Sequence, residues 1–564
     1  MDHITVQKDD ETNIIRGLTP DDLNDRPRTV SATSITRYEN LDADKILNAY
    51  GKYGKYQMRA YIITSSVHLL FATNMMIMPF ITEKAHFSCA INEPENSNWV
   101  YTVVDSCNIL DSNNWTIGCT NIPGASYKFD ESSKASIASS FDLVCDDYSM
   151  VEHGSSAFLL GGMISGPIIT QLSDIYGRKI TFVIPLLVAF ISNMLCCLSY
   201  NFPMFLILRF IAGVATTSYS LTASVLCMES VSTKFRSILP LLGNFAWVLG
   251  YILAGCIAIL DVNWRVMYFI ASIPAIFVIP MAWKCPESLN WLITKNKTKA
   301  VRRYIHASTR FNGQALVLDD CKSANVSAPE VKTRTFMDIL GHSALTITLI
   351  FNCYIFIVMN GTYWALSLYS VDLSENKRLG FFLSGVVEIP AALLASYLMV
   401  FFKRKTVAIG ALLLTSICMF VMVFISMPSE FAIILPLVAK GLNTIAWSVH
   451  PLLAGEAAPT SVRNVYSGIT SFVGDVGGVA APYLKRLESV NMNAPTLLIA
   501  IMSTFAGLFV LILPETKDKP LPEDLDSFDD GPVIHRLLSL FSRDNRKKNL
   551  SETAPMIIVK SEQA

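Results

Sequence analysis

Four ionisable side chains stand inside stretches that are otherwise apolar: Arg209, Glu388, Lys440 and Asp475. A charge in hydrocarbon is costly, so each points by default to the handling of a substrate or ion. Asp475 lies near the middle of its stretch, in Ser471-Phe472-Val473-Gly474-Asp475-Val476-Gly477-Gly478. The three glycines are expected to leave room around the carboxylate and to loosen the helix. Facing a cavity, that carboxylate would attract and partly desolvate an organic cation. Paired with Lys440 on the neighbouring helix, it would be neutralised, and the residues alone leave these two readings level. His68, His153 and His450 are read as packing or hydrogen-bonding residues rather than proton carriers. The sequence contains no Gly-rich phosphate loop, metal-ligand cluster or nucleophile elbow. It therefore argues against an ATP-driven pump and an enzyme, and predicts neither cofactor nor metal.

A second set of charges is periodic. Glu-x₆-Arg occurs as Glu229…Arg236 and Glu456…Arg463, 227 residues apart. Pro286-Glu287-Ser288 and Pro514-Glu515-Thr516 lie 228 residues apart, each closing a long apolar tract. Two signatures at one offset mark a duplicated unit, and duplication in an apolar chain suits a secondary transporter whose substrate site lies between its halves. Asp174, Arg178 and Lys179 form a charged turn whose counterpart is reduced to Lys403-Arg404-Lys405. Asp174, Arg178, Lys179, Glu229, Arg236, Glu456 and Arg463 are expected to act as a conformational latch, held closed by ion pairs in one state and released in another.

These residues need an apolar scaffold. Of 564 residues 52% are hydrophobic and only 16% charged, and the mean hydropathy is +0.41. Soluble domains carry about a quarter charged residues. Twelve tracts, near 60–81, 151–172, 180–199, 203–227, 237–260, 265–283, 344–368, 378–402, 406–427, 431–454, 465–484 and 494–513, have the length of membrane helices. The expected fold is an all-α membrane protein of twelve helices in two six-helix halves, 59–284 and 344–513. A cytoplasmic linker with amphipathic helices (285–343) joins them. Lys and Arg in the short loops place the charged turns, the linker and both termini in the cytoplasm, and the large loop 82–150 outside. Residues 1–58 and 514–564 are read as largely disordered cytoplasmic tails. No cleavable signal peptide precedes the first tract. Cys89, Cys107, Cys119 and Cys145 share the outer loop, suggesting two disulfides with three pairings open. Position in that loop singles out Asn114 among the glycosylation sequons.

The sequence resembles the major facilitator superfamily and, within it, the organic cation and anion transporter family of solute carriers. The resemblance rests on Asp174-Ile175-Tyr176-Gly177-Arg178-Lys179, Phe141-Asp142-Leu143-Val144-Cys145, Pro286-Glu287-Ser288 with Trp291-Leu292, Val387-Glu388-Ile389-Pro390, and Pro514-Glu515-Thr516 with Leu521-Pro522. It covers about 47–525, and departs from the pattern at Thr170, where glycine usually opens the turn. The resemblance implies the major facilitator fold with a large extracellular loop between helices 1 and 2. Asp475-Val476-Gly477-Gly478 is of the cation-transporter type; anion transporters of the family carry Arg at that position. By the same matching, Glu388 is a second acidic contact, Tyr363 a pocket aromatic, and Trp247, Phe356 and Trp447 pocket-lining residues; Ser471, one turn before Asp475, is a further candidate contact. Aromatic faces attract ammonium groups by about 0.5–2 kcal/mol each.

The expected function is polyspecific organic cation uptake across the plasma membrane by alternating access, driven by the membrane potential. One charge across 100 mV is worth ~2.3 kcal/mol, enough to concentrate a monovalent cation roughly fiftyfold. Expected partners are small organic cations and the lipid bilayer, without nucleic acid; a homo-oligomer through the outer loop stays open. Alternatives are a carnitine-like betaine transporter, with Lys440 or Arg209 meeting the carboxylate, an organic anion exchanger, and a non-transporting sensor or channel.

Overall fold

In lipid the backbone must satisfy its polar groups internally, and the computed structural model places a helix at every one of the twelve tracts. It describes residues 41–536 except 85, 92–101, 104–105, 111–115, 120–124, 130–134, 237, 315, 317, 319–320, 323–334, 373–375 and 426–432. The chain divides into two units, Met1–Pro329 and Glu330–Ala564.

In the first unit, helix 1 is Lys55–Met76, continued by Met78–Ile81, and helices 2 to 5 are His153–Tyr176, Arg178–Cys197, Phe202–Ser230 and Leu239–Ile259. Helix 6 comes in two pieces, Trp264–Ser272 and Pro274–Trp283. The second unit has helix 7 (Ser343–Leu368), helix 8 in two pieces (Lys377–Val386 and Glu388–Phe401) and helix 9 (Arg404–Phe424). Helix 10 (Ile434–Ala457), helix 11 (Arg463–Ala480) and helix 12 (Ala494–Val510) complete it. The breaks in helices 1, 6 and 8 fall at or within a turn before Pro79, Pro274 and Pro390, because proline withholds an N–H and crowds the preceding turn.

Among the described residues, nine helices are long and apolar enough to cross a membrane. Helices 10 and 11 are not among the nine: helix 10 carries Lys440, Asn443 and His450, and helix 11 carries Arg463, Asn464, Asp475 and four glycines; helix 12 is apolar but shorter. Large apolar side chains such as Ile168, Ile184, Ile191, Leu393 and Tyr397 lie exposed along helices 2, 3 and 8, as a lipid-facing surface requires.

The all-helical expectation misses a small β module in the loop after helix 1. Phe87–Ile91 pairs antiparallel with Ala125–Phe129, and Asn108–Leu110 lies between Thr102–Val103 and Thr116–Gly118. Disulfides join Cys89 to Cys119 and Cys107 to Cys145. The second ties this module to the lead-in of helix 2.

Parts of both expected tails are folded instead of disordered. Ala43–Ala49 is a helix capped by Asp42, and it buries Ile46 and Leu47 with Leu289, Trp291, Val301, Tyr304 and Ile305 of the linker helices Leu289–Thr294 and Thr298–Asn312. Burial of these apolar groups outweighs the polar composition around them. Beyond helix 12, the Thr460 and Ser461 amides donate to the carbonyls of Pro522 and Glu523, and Leu525 is buried with Ile339, Val462 and Tyr466. Lys519 bonds Asp529 at 2.7 Å, holding that carboxyl below its ordinary range.

Candidate substrate site

Helix 11 lies directly on helix 7, and its glycines make that approach possible. A Cβ at Gly474 would lie 2.8 Å from Cβ of Phe356, one at Gly478 would lie 2.9 Å from Cδ1 of Trp364, and one at Gly477 would overlap the carbonyl oxygen of Ile357. The expected room around Asp475 is therefore filled on this side, in the manner of small-residue helix contacts in membranes. The close approach sets Asn360 against Asp475, whose Oδ1 accepts from Nδ2 at 2.8 Å. Among the described residues no cation lies within ion-pairing distance of Asp475. Ser471, one turn earlier on the same helical face, is exposed.

Lys440 is taken by a different carboxylate, so the pairing with Asp475 is not formed. Its Nζ lies 3.1 Å from Oε1 of Glu388 and donates to Oγ of Ser384 at 2.7 Å. The Tyr363 hydroxyl donates to the same Glu388 oxygen at 3.0 Å, and the Lys440 ammonium sits 5.5 Å from the Tyr363 ring centre. Glu388 and Lys440 are both buried. Glu388 is thus a committed counterion, in contrast to Asp475.

Phe356, Trp447 and His450 form one cluster on helices 7 and 10, with ring centres 6.0 Å (Phe356–Trp447) and 5.3 Å (Phe356–His450) apart. The Trp447 indole N–H donates to the Met359 carbonyl at 3.3 Å. Trp247 belongs to the first unit, where its ring meets Phe71 edge-on at 5.3 Å. Arg209, fully buried there, has only neutral partners among the described residues. It donates to Asn74 at 3.0 Å and Tyr268 at 2.7 Å, and lies 4.5 Å from the Phe158 ring.

The duplicated charges meet within each unit. Arg178 grips Glu229 through Nε at 3.1 Å and Nη2 at 3.2 Å, and also pairs with Asp174 at 2.8 Å. Arg404 pairs with Glu456 in the second unit. Glu287 accepts the backbone N–H groups of Arg178 and Lys179, capping helix 3; Glu515 accepts that of Lys405 at the start of helix 9. A carboxylate there satisfies otherwise orphaned N–H groups and suits the positive end of the helix dipole. Gly177 makes the first cap possible: its φ is +103°, and a Cβ would lie 2.6 Å from Oε2 of Glu287. Glu-x₆-Arg is not itself an ion pair. Arg236 turns to Asp44 at 2.6 Å, and Arg463 to the Ala458 carbonyl at 3.2 Å.

The sequence reading missed Asn360 and Ser384 as partners, and noted Glu287 and Glu515 without their capping role. Asn360 had one usable signal, its place three residues before Tyr363 on the same face of helix 7. Asn114 lies outside the described residues.

Two six-helix units with repeated charge clusters at one end and unrepeated charges within the bundle define a membrane transporter of the major facilitator type. The chain belongs to the sugar (and other) transporter family, whose model matches residues 112–524, a family of transporters and not of enzymes. A Caenorhabditis elegans protein with a provisional transporter name is 33% identical over 504 residues, covering 88% of this chain and 86% of that one. The Drosophila melanogaster organic cation transporter protein is 26% identical, covering 86% and 94%. Rat solute carrier family 22 member 2 is 27% identical, covering 70% and 71%. In three dimensions the chain is similar to the inward-open xylose transporter XylE of E. coli, with TM-score 0.60 and 17% identity over 82% of this chain and 98% of that one. At that identity the likeness defines the fold.

Proposed function

We propose that the protein is a polyspecific organic cation transporter of the plasma membrane, working by alternating access as a uniporter driven by the membrane potential. One observation carries the reading: Asp475, inside the bundle, has an amide partner in Asn360 and no cation among the described residues. An ammonium substrate would supply that counterion, and its neutralised complex would reorient more readily than the bare carboxylate. Phe356, Trp447, Tyr363 and, in the first unit, Trp247 keep the aromatic roles implied by the family. The end-of-bundle pairs Arg178–Glu229 and Arg404–Glu456 would serve as latches. In this reading both termini and the 285–343 linker are cytoplasmic, while the 82–150 loop is extracellular, with Asn114 as its glycosylation site.

A carnitine-like betaine carrier is the second reading, since Lys440 could meet a substrate carboxylate; its engagement by Glu388 weighs against this. Anion exchange fits worst with Asp475. The test is uptake of a labelled quaternary ammonium against a labelled carboxylate in expressing cells, with and without depolarisation. Cation uptake that falls on depolarisation is expected. Uptake of the carboxylate alone would defeat the cation reading, and uptake indifferent to potential would defeat uniport.

A further inference from the structure

Around the Lys440 ammonium stand the Glu388 carboxylate at 3.1 Å, the Ser384 hydroxyl at 2.7 Å and the Tyr363 ring at 5.5 Å. A carboxylate, a hydroxyl and an aromatic face are what an organic ammonium ligand would require. Here the chain supplies the ammonium itself. This occupied cation site connects to the open one: Tyr363 and Asn360 are three residues apart on one face of helix 7, and Asn360 holds Asp475. Histidine aside, the residues of formal charge in the interiors of helices 7 to 12 are Glu388, Lys440 and Asp475. Their formal charge is one net negative.

The fold does not itself demand this pair. Shifting Glu388 and Lys440 back by the offsets that relate Arg404 to Arg178 and Glu456 to Glu229 gives Gly162 and Gly213. In the first unit two glycines let helices 2 and 4 touch, where the second unit has an ion pair. Buried pairs are often matched in stability by apolar packing, so stability alone is weak ground for one.

We propose that Lys440 and Glu388 set the charge number of the transported substrate: the Lys440 ammonium is a tethered occupant of a second cation site, leaving Asp475 as the single open one. The inference rests on the reading of Asp475 as the substrate's anionic contact. Removing the lysine charge would open the Glu388 site to the second ammonium of a dication. Removing the glutamate charge would uncover Lys440 for the carboxylate of a betaine. Removing both restores one net negative charge, and with it the preference for monocations.

The experiment measures uptake of tetraethylammonium, a bis-quaternary ammonium and a betaine by wild type, Lys440→Gln, Glu388→Gln and the double variant, normalised to protein at the cell surface. A buried unit charge a few ångström away, at an effective dielectric constant near 20, supports a change of roughly tenfold or more in each ratio. The dication-to-monocation ratio should rise in Lys440→Gln, the betaine-to-monocation ratio should rise in Glu388→Gln, and the double variant should return to the wild-type order. Should a single variant fail to reach the surface, the charge swap Glu388→Lys with Lys440→Glu keeps the net charge and should keep the monocation preference. Substrate ratios that stay flat across the variants, or a swap that abandons monocations, would overturn the proposal. A wild type that takes no cation would instead sink the Asp475 reading, a separate and recognisable failure.

Discussion

The two units treat charge alike at the ends of their helices and differently within the bundle. At the ends, Arg178–Glu229 answers Arg404–Glu456, and the Glu287 cap answers the Glu515 cap. Backbone contact repeats as well. A Cβ at Gly250 would overlap the Leu69 carbonyl on helix 1, just as one at Gly477, 227 residues on, would overlap that of Ile357 on helix 7. Inside, the correspondence fails. The position matching Asp475 is the buried Val248, and Glu388 and Lys440 match glycines. Elements that hold helices together are shared because both units fold by the same packing; the interior charges Glu388, Lys440 and Asp475 have no charged counterpart in the first unit.

The comparison can be broken first at its packing. Gly250→Ala and Gly477→Ala should each cost about 1–3 kcal/mol, since backbone and not a flexible side chain would have to give way. The check is thermal unfolding in detergent, with Gly468→Ala, where a Cβ meets nothing within 4 Å, as the unperturbed control. Tolerance at either glycine would deny the shared contact. Next come the ion pairs: double-mutant cycles on Arg178/Glu229 and Arg404/Glu456 should give similar couplings of about 1 kcal/mol. Unequal couplings would show that the ends are not functionally duplicated. Smallest is Asp44→Ala. The Arg236–Asp44 pair has side chains 32% and 47% exposed, so its loss should cost below ~1 kcal/mol and weaken further with salt. A larger loss would give the first unit's N-terminal helix a role without counterpart in the second.

Much of this was legible in the sequence because hydropathy and offset are one-dimensional signals. Twelve apolar tracts gave twelve helices, and the repeated Glu229 and Glu456 identified residues that anchor the end clusters. Partners were harder to read. Glu287 caps an N–H 109 residues away and Glu515 one 110 away, distances over which no local pattern extends. The glycines beside Asp475 suit either an open pocket or a close helix contact, and only the facing surface of helix 7 decides for contact. The sequence matched Lys440 only with Asp475, whereas the fold sets Glu388 and Ser384, on either side of the break in helix 8, beside it. Residues 41–50 appeared polar, but Leu41, Ala43, Ile46, Leu47 and Tyr50 are buried with the linker helices.

The most direct test of the central claim is uptake of a labelled quaternary ammonium by Asp475→Asn at matched surface amount. Loss of a half-buried carboxylate at the proposed substrate contact predicts uptake reduced roughly tenfold or more, with Val248→Asn, at the matching place in the first unit, keeping its uptake at matched surface amount. Normal cation uptake by Asp475→Asn would contradict the account, leaving Asp475 a structural partner of Asn360.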